Sequence, residues 1–274
     1  MLILHSLHSD NIPVEAEAIR PDTLSRLTVD RISKLPILYG NRSVALAELF
    51  RIDPASDPAD GVVRVEGTLR QVHRLGEGML SGRLELMGSV GMHTGASMCG
   101  GEIVVRGDAG DWTGAEMRGG LIRVGGNAGD LVGSGYRGAI KGMKGGEILI
   151  DGNAGNEVGS VMRRGLIAIG GDCGAFAGPS MIAGTIAVFG RCGERPGFGL
   201  KRGSIVVLGE PPAIPAGFRP DCVREFVFVR VYLKHLRERG FAPALGIDPD
   251  LLFRRYSGDL LSVGRGEFLV RCRE

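Results

Sequence analysis

The sequence predicts an all-β solenoid of about seven or eight short coils piled into a rod. Three observations carry that prediction. First, a 19-residue unit recurs: GEIVVRGDAGDWTGAEMRG, GEILIDGNAGNEVGSVMRR, GLIAIGGDCGAFAGPSMIA and GTIAVFGRCGERPGFGLKR begin at Gly101, Gly146, Gly165 and Gly184 with their glycines in phase. Second, the third and fifth positions of each unit are aliphatic, as in Ile103 and Val105, Ile122 and Val124, and Ile148 and Ile150. That alternation places both side chains on one face of a strand, here the interior. Third, Gly-Asn/Asp-Ala-Gly follows most strands, where glycine permits positive φ and Asn or Asp supports a turn. A lone strand cannot bury its inner face, so successive coils stack about 4.8 Å apart, giving a rod on the order of 35 Å long.

Three segments follow in order. Residues 1–60 lack the repeat and are expected to form an N-terminal appendage or cap, with short strands in PVEAEAI and LPILYGN and residues 46–50 leading into the array. The repeat domain spans residues 61–210. Its first rung is GVVRVEG at residues 61–67, and later units start at Gly82, Gly101, Gly120, Gly146, Gly165, Gly184 and Gly203. Spacing is 19 residues except for a step of 21 from Gly61 to Gly82 and one of 26 from Gly120 to Gly146. The longer step holds an inserted loop at residues 134–140. Residues 211–274 form a proline-rich linker, a helix and a C-terminal cap. PPAIPAGFRP is expected to stop the array, since proline cannot donate to a ladder. A helix is predicted from Asp221 to Gly240, then a short helix over residues 248–256 and a glycine-turned strand pair in LLSVGRGEFLV.

Composition narrows the function. The chain has 274 residues, 43% of them hydrophobic, and a formal charge of +2; no basic run is interleaved with aromatics, so nucleic acid is not an expected partner. Five cysteines without a C-x-x-C argue against a disulfide framework or an iron–sulfur site. MLILHSLHSD lacks a basic stretch followed by an apolar core and cleavage site, so export is not expected. Residues 165–190 carry only one charge, Asp172, but their repeat glycines fit buried rungs better than a membrane span. A cytoplasmic protein without membrane contact is expected.

Several residues invite a sharper reading. Outward positions of the last coils are uncharged: Leu166, Ala168, Thr185, Ala187, Ser204 and Val206, followed by Phe189 and Leu208. Such a face must be covered by the chain's own terminal helix or by another protein, and both coverings stay open. Leu166 and Val206 are therefore candidate interface residues, as are Trp112 and, in the inserted loop, Tyr136 and Arg137. GSGYRG at residues 133–138 matches G-x-G-x-x-G but lacks the following helix of a dinucleotide site. Cys173 and Cys192 occupy the position of Ala109, Ala128 and Ala154, and are read as small buried residues. Met98, Met117, Met143, Met162 and Met181 recur in phase and are read as a core column. Arg118, Lys144, Arg163 and Lys201 follow them as a solvated corner, or as a contact for the carboxylates of a partner or an anionic coenzyme. His5 and His8 form H-x-x-H, while His73, His93 and His235 are isolated; neither a metal array nor a catalytic triad is assigned.

With these units and flanks in hand, the chain resembles the C subunits of formylmethanofuran dehydrogenases, and within them the C subunit of the bacterial formyltransferase/hydrolase complex. PVEAEAIRPD, LPILYGNRSVALAELF and RRYSGDLLSVGRGEFLV carry the resemblance beyond the repeats. The pattern G-x-I-x-V-x-G-N/D-A-G is also similar to the C-terminal domain of the glutamate synthase large subunit, a right-handed parallel β-helix. The resemblance implies that handed fold and a non-catalytic role in contact with the A, B and D subunits. It implies a complex that moves a formyl group from formyl-tetrahydromethanopterin to methanofuran and then hydrolyses it to formate. No cofactor is expected in this chain; the methanofuran and tetrahydromethanopterin coenzymes and a metal centre belong to partner subunits.

Other readings remain. The archaeal complexes are tungsten- or molybdenum-dependent dehydrogenases, and only the arginine-rich, lysine-poor composition favours the non-redox complex. A stand-alone β-helix hydrolase would need clustered carboxylates, for which Glu102 and Glu147 are the candidates. A glutamate-synthase-type domain would lack its attached partners.

Overall fold

The computed structural model describes residues 1–53 and 60–272. It is mostly β. In chain order the strands are β1 (Leu2–Ser6), β2 (Val14–Glu15), β3 (Pro36–Tyr39), β4 (Arg42–Ala45), β5 (Phe50–Ile52), β6 (Val62–Glu66), β7 (Val72–His73), β8 (Arg83–Leu86) and β9 (Glu102–Val105). There follow β10 (Leu121–Val124), β11 (Lys144–Ile150), β12 (Arg164–Ile169), β13 (Thr185–Val188), β14 (Arg202–Val207), β15 (Arg219–Glu225), β16 (Leu252–Gly258) and β17 (Arg265–Arg271). Short helices α1 (Pro21–Leu24), α2 (Val29–Ser33) and α3 (Leu46–Leu49) lie near the N-terminus, and α4 (Val227–Glu238) near the C-terminus.

A mixed sheet of 13 strands runs β15-β16-β17-β14-β13-β12-β11-β10-β9-β8-β6-β1-β5. Its central run is parallel, and each repeat unit adds one strand in identical register. Ile103 therefore faces Ile122, then Ile148, Ile167, Ile186 and Ile205, forming one column with no exposed surface. Burying each such side chain contributes roughly 1.5–3 kcal/mol. Met98, Met117, Met143, Met162 and Met181 form a second fully buried column.

Two further rows tie the units together away from the strands. Ala109, Ala128, Ala154, Cys173 and Cys192 pair by successive parallel bridges, so the thiols occupy a small-residue stack. Beside them, Asx side chains accept from the backbone of the next unit: Asp108 Oδ1 from Asn127 N (2.8 Å), Asn127 Oδ1 from Asn153 N (2.8 Å), and Asn153 Oδ1 from Asp172 N (2.7 Å). The Asn/Asp residues thus link units rather than closing their own turn. Glycine is required where the units approach most closely. Gly120 has φ +89°, and a Cβ there would stand 2.7 Å from Met98 Cε and 2.8 Å from the Gly101 carbonyl oxygen.

The segment expected as an N-terminal appendage or cap supplies β1, which pairs in parallel with β6 and antiparallel with β5, and the expected strands in PVEAEAI and LPILYGN are β2 and β3. Strands β2, β3, β4 and β7 form a second, 4-stranded sheet. The C-terminal end differs from expectation. The proline-rich segment interrupts the chain but not the sheet, because β17 resumes the parallel ladder on β14. The helix begins at Val227, not Asp221: residues Arg219–Glu225 pair antiparallel with β16, and Pro220 is tolerated because β15 is an edge strand. The short helix expected over residues 248–256 is replaced by β16, whose pairing satisfies β17; a helix there would leave that edge open.

Helix α4 answers what covers the uncharged outer face. Its buried Val229, Leu233 and Leu236, with Phe226, Phe241 and Phe253, pack on Leu149, Leu166, Ala168, Val206 and Leu208. The 4- and 3-residue steps place those helix residues on one stripe. Arg123 donates to the carbonyls of Arg239 and Gly240 at the end of the helix, and Glu147 receives His235 at 2.7 Å and Arg239 at 3.3 Å. Cations at a helix C-terminus are favoured there.

Candidate functional site

One corner of each unit is turned by a non-glycine residue in the left-handed region. Arg74, His93, Trp112, Leu131, Glu157, Phe176 and Arg195 have φ between 51° and 62°, a conformation bulky residues seldom adopt. They follow one another at the repeat spacing, so each projects beside its counterpart in the next unit. A second Asx row holds this turn: Asp111 Oδ1 accepts from Asp130 N (2.8 Å) and Asp130 Oδ1 from Asn156 N (2.7 Å).

At this corner the rings of His93 and Trp112 stack with centroids 5.3 Å apart and planes at 17°. The inserted loop then brings Tyr136 back over them, with its hydroxyl 3.1 Å from His93 Nδ1 in a shared hydrogen bond. Arg74 sits alongside, paired to Glu15 at 2.7 Å and to Glu77 at 2.8 Å. Burial, reinforced by the Arg74 charge, holds the His93 imidazole below its ordinary pKa, and burial raises the Tyr136 phenol. Both groups are thus kept neutral near pH 7. Trp112 Nε1 is buried without a hydrogen-bond acceptor.

The loop separates two recesses. A cleft of 240 Å³ is lined by Trp112, Leu131, Tyr136, Arg137, Glu157 and Val161, among others. On the other side, a groove of 660 Å³ is bordered by residues 138–141 together with Glu116, Lys144, Arg163 and Arg164. Arg137 is exposed at the rim of the first.

The structure therefore brings together three of the five candidate interface residues, Trp112, Tyr136 and Arg137. It does not bring Leu166 and Val206 to them. These two are 4% and 2% exposed beneath α4, because the chain's own helix covers that face. As an outward-facing interface pair they are corrected to core. His93 was not legible as a partner of Trp112, although both lie at the same repeat position, 19 residues apart. Glu15 offered no sequence signal, since its meeting with Arg74 depends on the β2–β7 pairing, whereas Glu77 meets Arg74 locally, three residues along the chain.

The remaining candidates have bland partners. Glu102 pairs with Arg83, and Glu147 with His235 and Arg239. GSGYRG leads into β11, not a helix. Burial raises the Cys173 thiol and pushes Cys192 up to about 12. Among the described residues, no three His, Cys, Asp or Glu side chains gather into a metal site, and no helix is long and apolar enough to cross a membrane.

No family model matches the chain. The C subunit of tungsten-containing formylmethanofuran dehydrogenase 2 from Methanothermobacter wolfeii is 39% identical over 97 residues, 35% of this chain and 36% of that protein. The C subunit of molybdenum-containing formylmethanofuran dehydrogenase 1 from Methanothermobacter thermautotrophicus is 45% identical over 85 residues, 31% of this chain and 21% of that protein. The chain thus matches about a third or less of the length of these curated relatives. A chain of the formyltransferase/hydrolase complex (FhcABCD) from Methylorubrum extorquens, solved with methylofuran, matches end to end. Its TM-score is 0.90 and its identity 34%, with coverage of 99% of this chain and 100% of that one.

Fold and corner define a class first: mostly-β chains built from glycine-paced units added one strand at a time to a single long sheet. Within that class, the chain belongs to the family that unites the C subunits of formyltransferase/hydrolase complexes and of formylmethanofuran dehydrogenases.

Proposed function

We propose that this chain is the C subunit of a formyltransferase/hydrolase complex and serves it as a non-catalytic scaffold, together with subunits of the A, B and D types. In this reading the repeat winds as a right-handed parallel β-helix, and the rigid ladder holds partners in fixed relation. Formyl transfer from formyl-tetrahydromethanopterin to methanofuran and release of formate take place on those partners, which carry the coenzymes and the metal centre. The observation that carries the proposal is the end-to-end match to a chain of the FhcABCD structure, against matches of about a third or less to the tungsten and molybdenum enzymes.

Trp112, Tyr136 and Arg137 are the proposed docking residues. They form a pre-ordered aromatic corner with an exposed cation, and truncation of such anchors typically costs about 2 kcal/mol or more of binding. The experiment is affinity purification of the native assembly through a tag on this chain. The expected preparation contains the A, B and D subunits, transfers and hydrolyses formyl groups, and lacks tungsten and molybdenum. A co-purified tungsten or molybdenum pterin would favour the dehydrogenase reading instead. Deformylase activity in the purified chain alone would overturn the scaffold role.

A further inference from the structure

Neighbouring cations on this sheet are ordinarily interleaved with carboxylates. Arg64 Nη2 lies 2.8 Å from Glu85, Arg83 Nε lies 2.9 Å from the same carboxylate, and Arg83 also pairs with Glu102. The corner where β11 and β12 begin departs from this pattern. Lys144 stands in register with Arg164, one sheet spacing of about 4.8 Å away, and Arg163 precedes it. The register shifts between Lys144 and Glu147 at this point, and Lys141, just after the inserted loop, adds a further cation.

Like charges facing each other across strands are destabilising, yet Lys141, Arg163 and Arg164 form no ion pair among the described residues. The one carboxylate in the groove is Glu116, 3.4 Å from Lys144. Ile140, 77% exposed, stands on the rim.

We propose that this 660 Å³ groove docks an acidic polypeptide segment of a partner in extended form. Its carboxylates meet Lys141, Lys144, Arg163 and Arg164, and an apolar side chain rests on Ile140. An extended strand presents side chains on one face every ~6.7 Å, within reach of long cationic side chains spaced by one sheet step. The groove offers four cations and no aromatic lining, whereas a nucleic acid strand calls for a longer basic track with stacking faces. The charge arrangement selects such a segment whatever assembly the chain enters.

The test is fluorescence anisotropy of the full chain with a short labelled peptide of alternating Glu and Ser and one central Leu. Saturable binding is expected at low salt, weakening steeply by about 0.3 M as screening sets in. The double variant Arg163→Glu/Arg164→Glu is expected to lose at least ~10-fold in affinity, and Lys141→Glu a smaller amount. Arg106→Glu/Arg219→Glu, at exposed cations outside the groove, should change affinity less than ~2-fold. Thermal melts check folding, and Lys141→Glu decides the matter if the double variant fails to fold. Absence of saturable binding, equal losses in the control variant, or tighter binding of a single-stranded oligonucleotide of the same charge would overturn the proposal.

Discussion

His93 and Trp112 meet because a 19-residue period returns the same turn position to the same corner. The left-handed conformation there costs each residue roughly 1–2 kcal/mol, offset by stacking and by the Asx hydrogen bonds between units. Two histidines at this edge, His73 and His93, are held below their ordinary pKa chiefly by burial. The unfolded chain therefore takes up their protons first, so the stability they contribute is complete above about pH 6.5 and is lost as pH falls below it. Melting temperature should decline between about pH 7.5 and 5. His93→Phe should make that decline shallower, because Phe176 already occupies the equivalent turn and a phenyl ring keeps the Trp112 contact; an unchanged slope would remove His93 from the account. The two cysteines give a second residue-scale test. Native protein should react with a thiol reagent at exposed Cys99 while Cys173 and Cys192 stay unlabelled until unfolding. Cys173→Ala should cost no more than about 1 kcal/mol in a chemical denaturation curve, since alanine fills the same place in three other units.

At the scale of elements, the strands were legible because period-2 alternation is local. Ile103 and Val105, like Ile186 and Val188, alternate with their outward neighbours whatever lies beside them. Helix α4 was legible in existence but not in extent. Residues Arg219–Glu225 become strand only through pairing with β16, which lies further along the chain beyond the helix, and no local pattern encodes that. The second strand expected in LLSVGRGEFLV is part of β17, but the partners of β1 and β17 in the ladder follow from long-range register. The covering of the outer face follows from α4. Leu166→Asp or Val206→Asp would bury a carboxylate under the helix without a partner, so a loss of about 3 kcal/mol or more is expected in denaturation curves. Limited proteolysis should then cut within Val227–Glu238. Variants as stable as the parent would mean that α4 does not hold that face.

For the whole molecule, the glycine period accounts for the parallel core, the aliphatic and methionine columns and the thiol stack. Which surface is left for partners is not written in that period, because it depends on where the terminal segments fold back. They close over Leu166 and Val206 and leave the corner at Trp112, Tyr136 and Arg137, with the groove behind it. The most direct measurement is hydrogen exchange on the chain alone and in the purified assembly. The expected result is new protection in the assembly over residues 110–116 and 134–144, with exchange under α4 unchanged because that face is already covered. Unaltered exchange at the loop corner, or new protection confined to α4 and the strands beneath it, would contradict it.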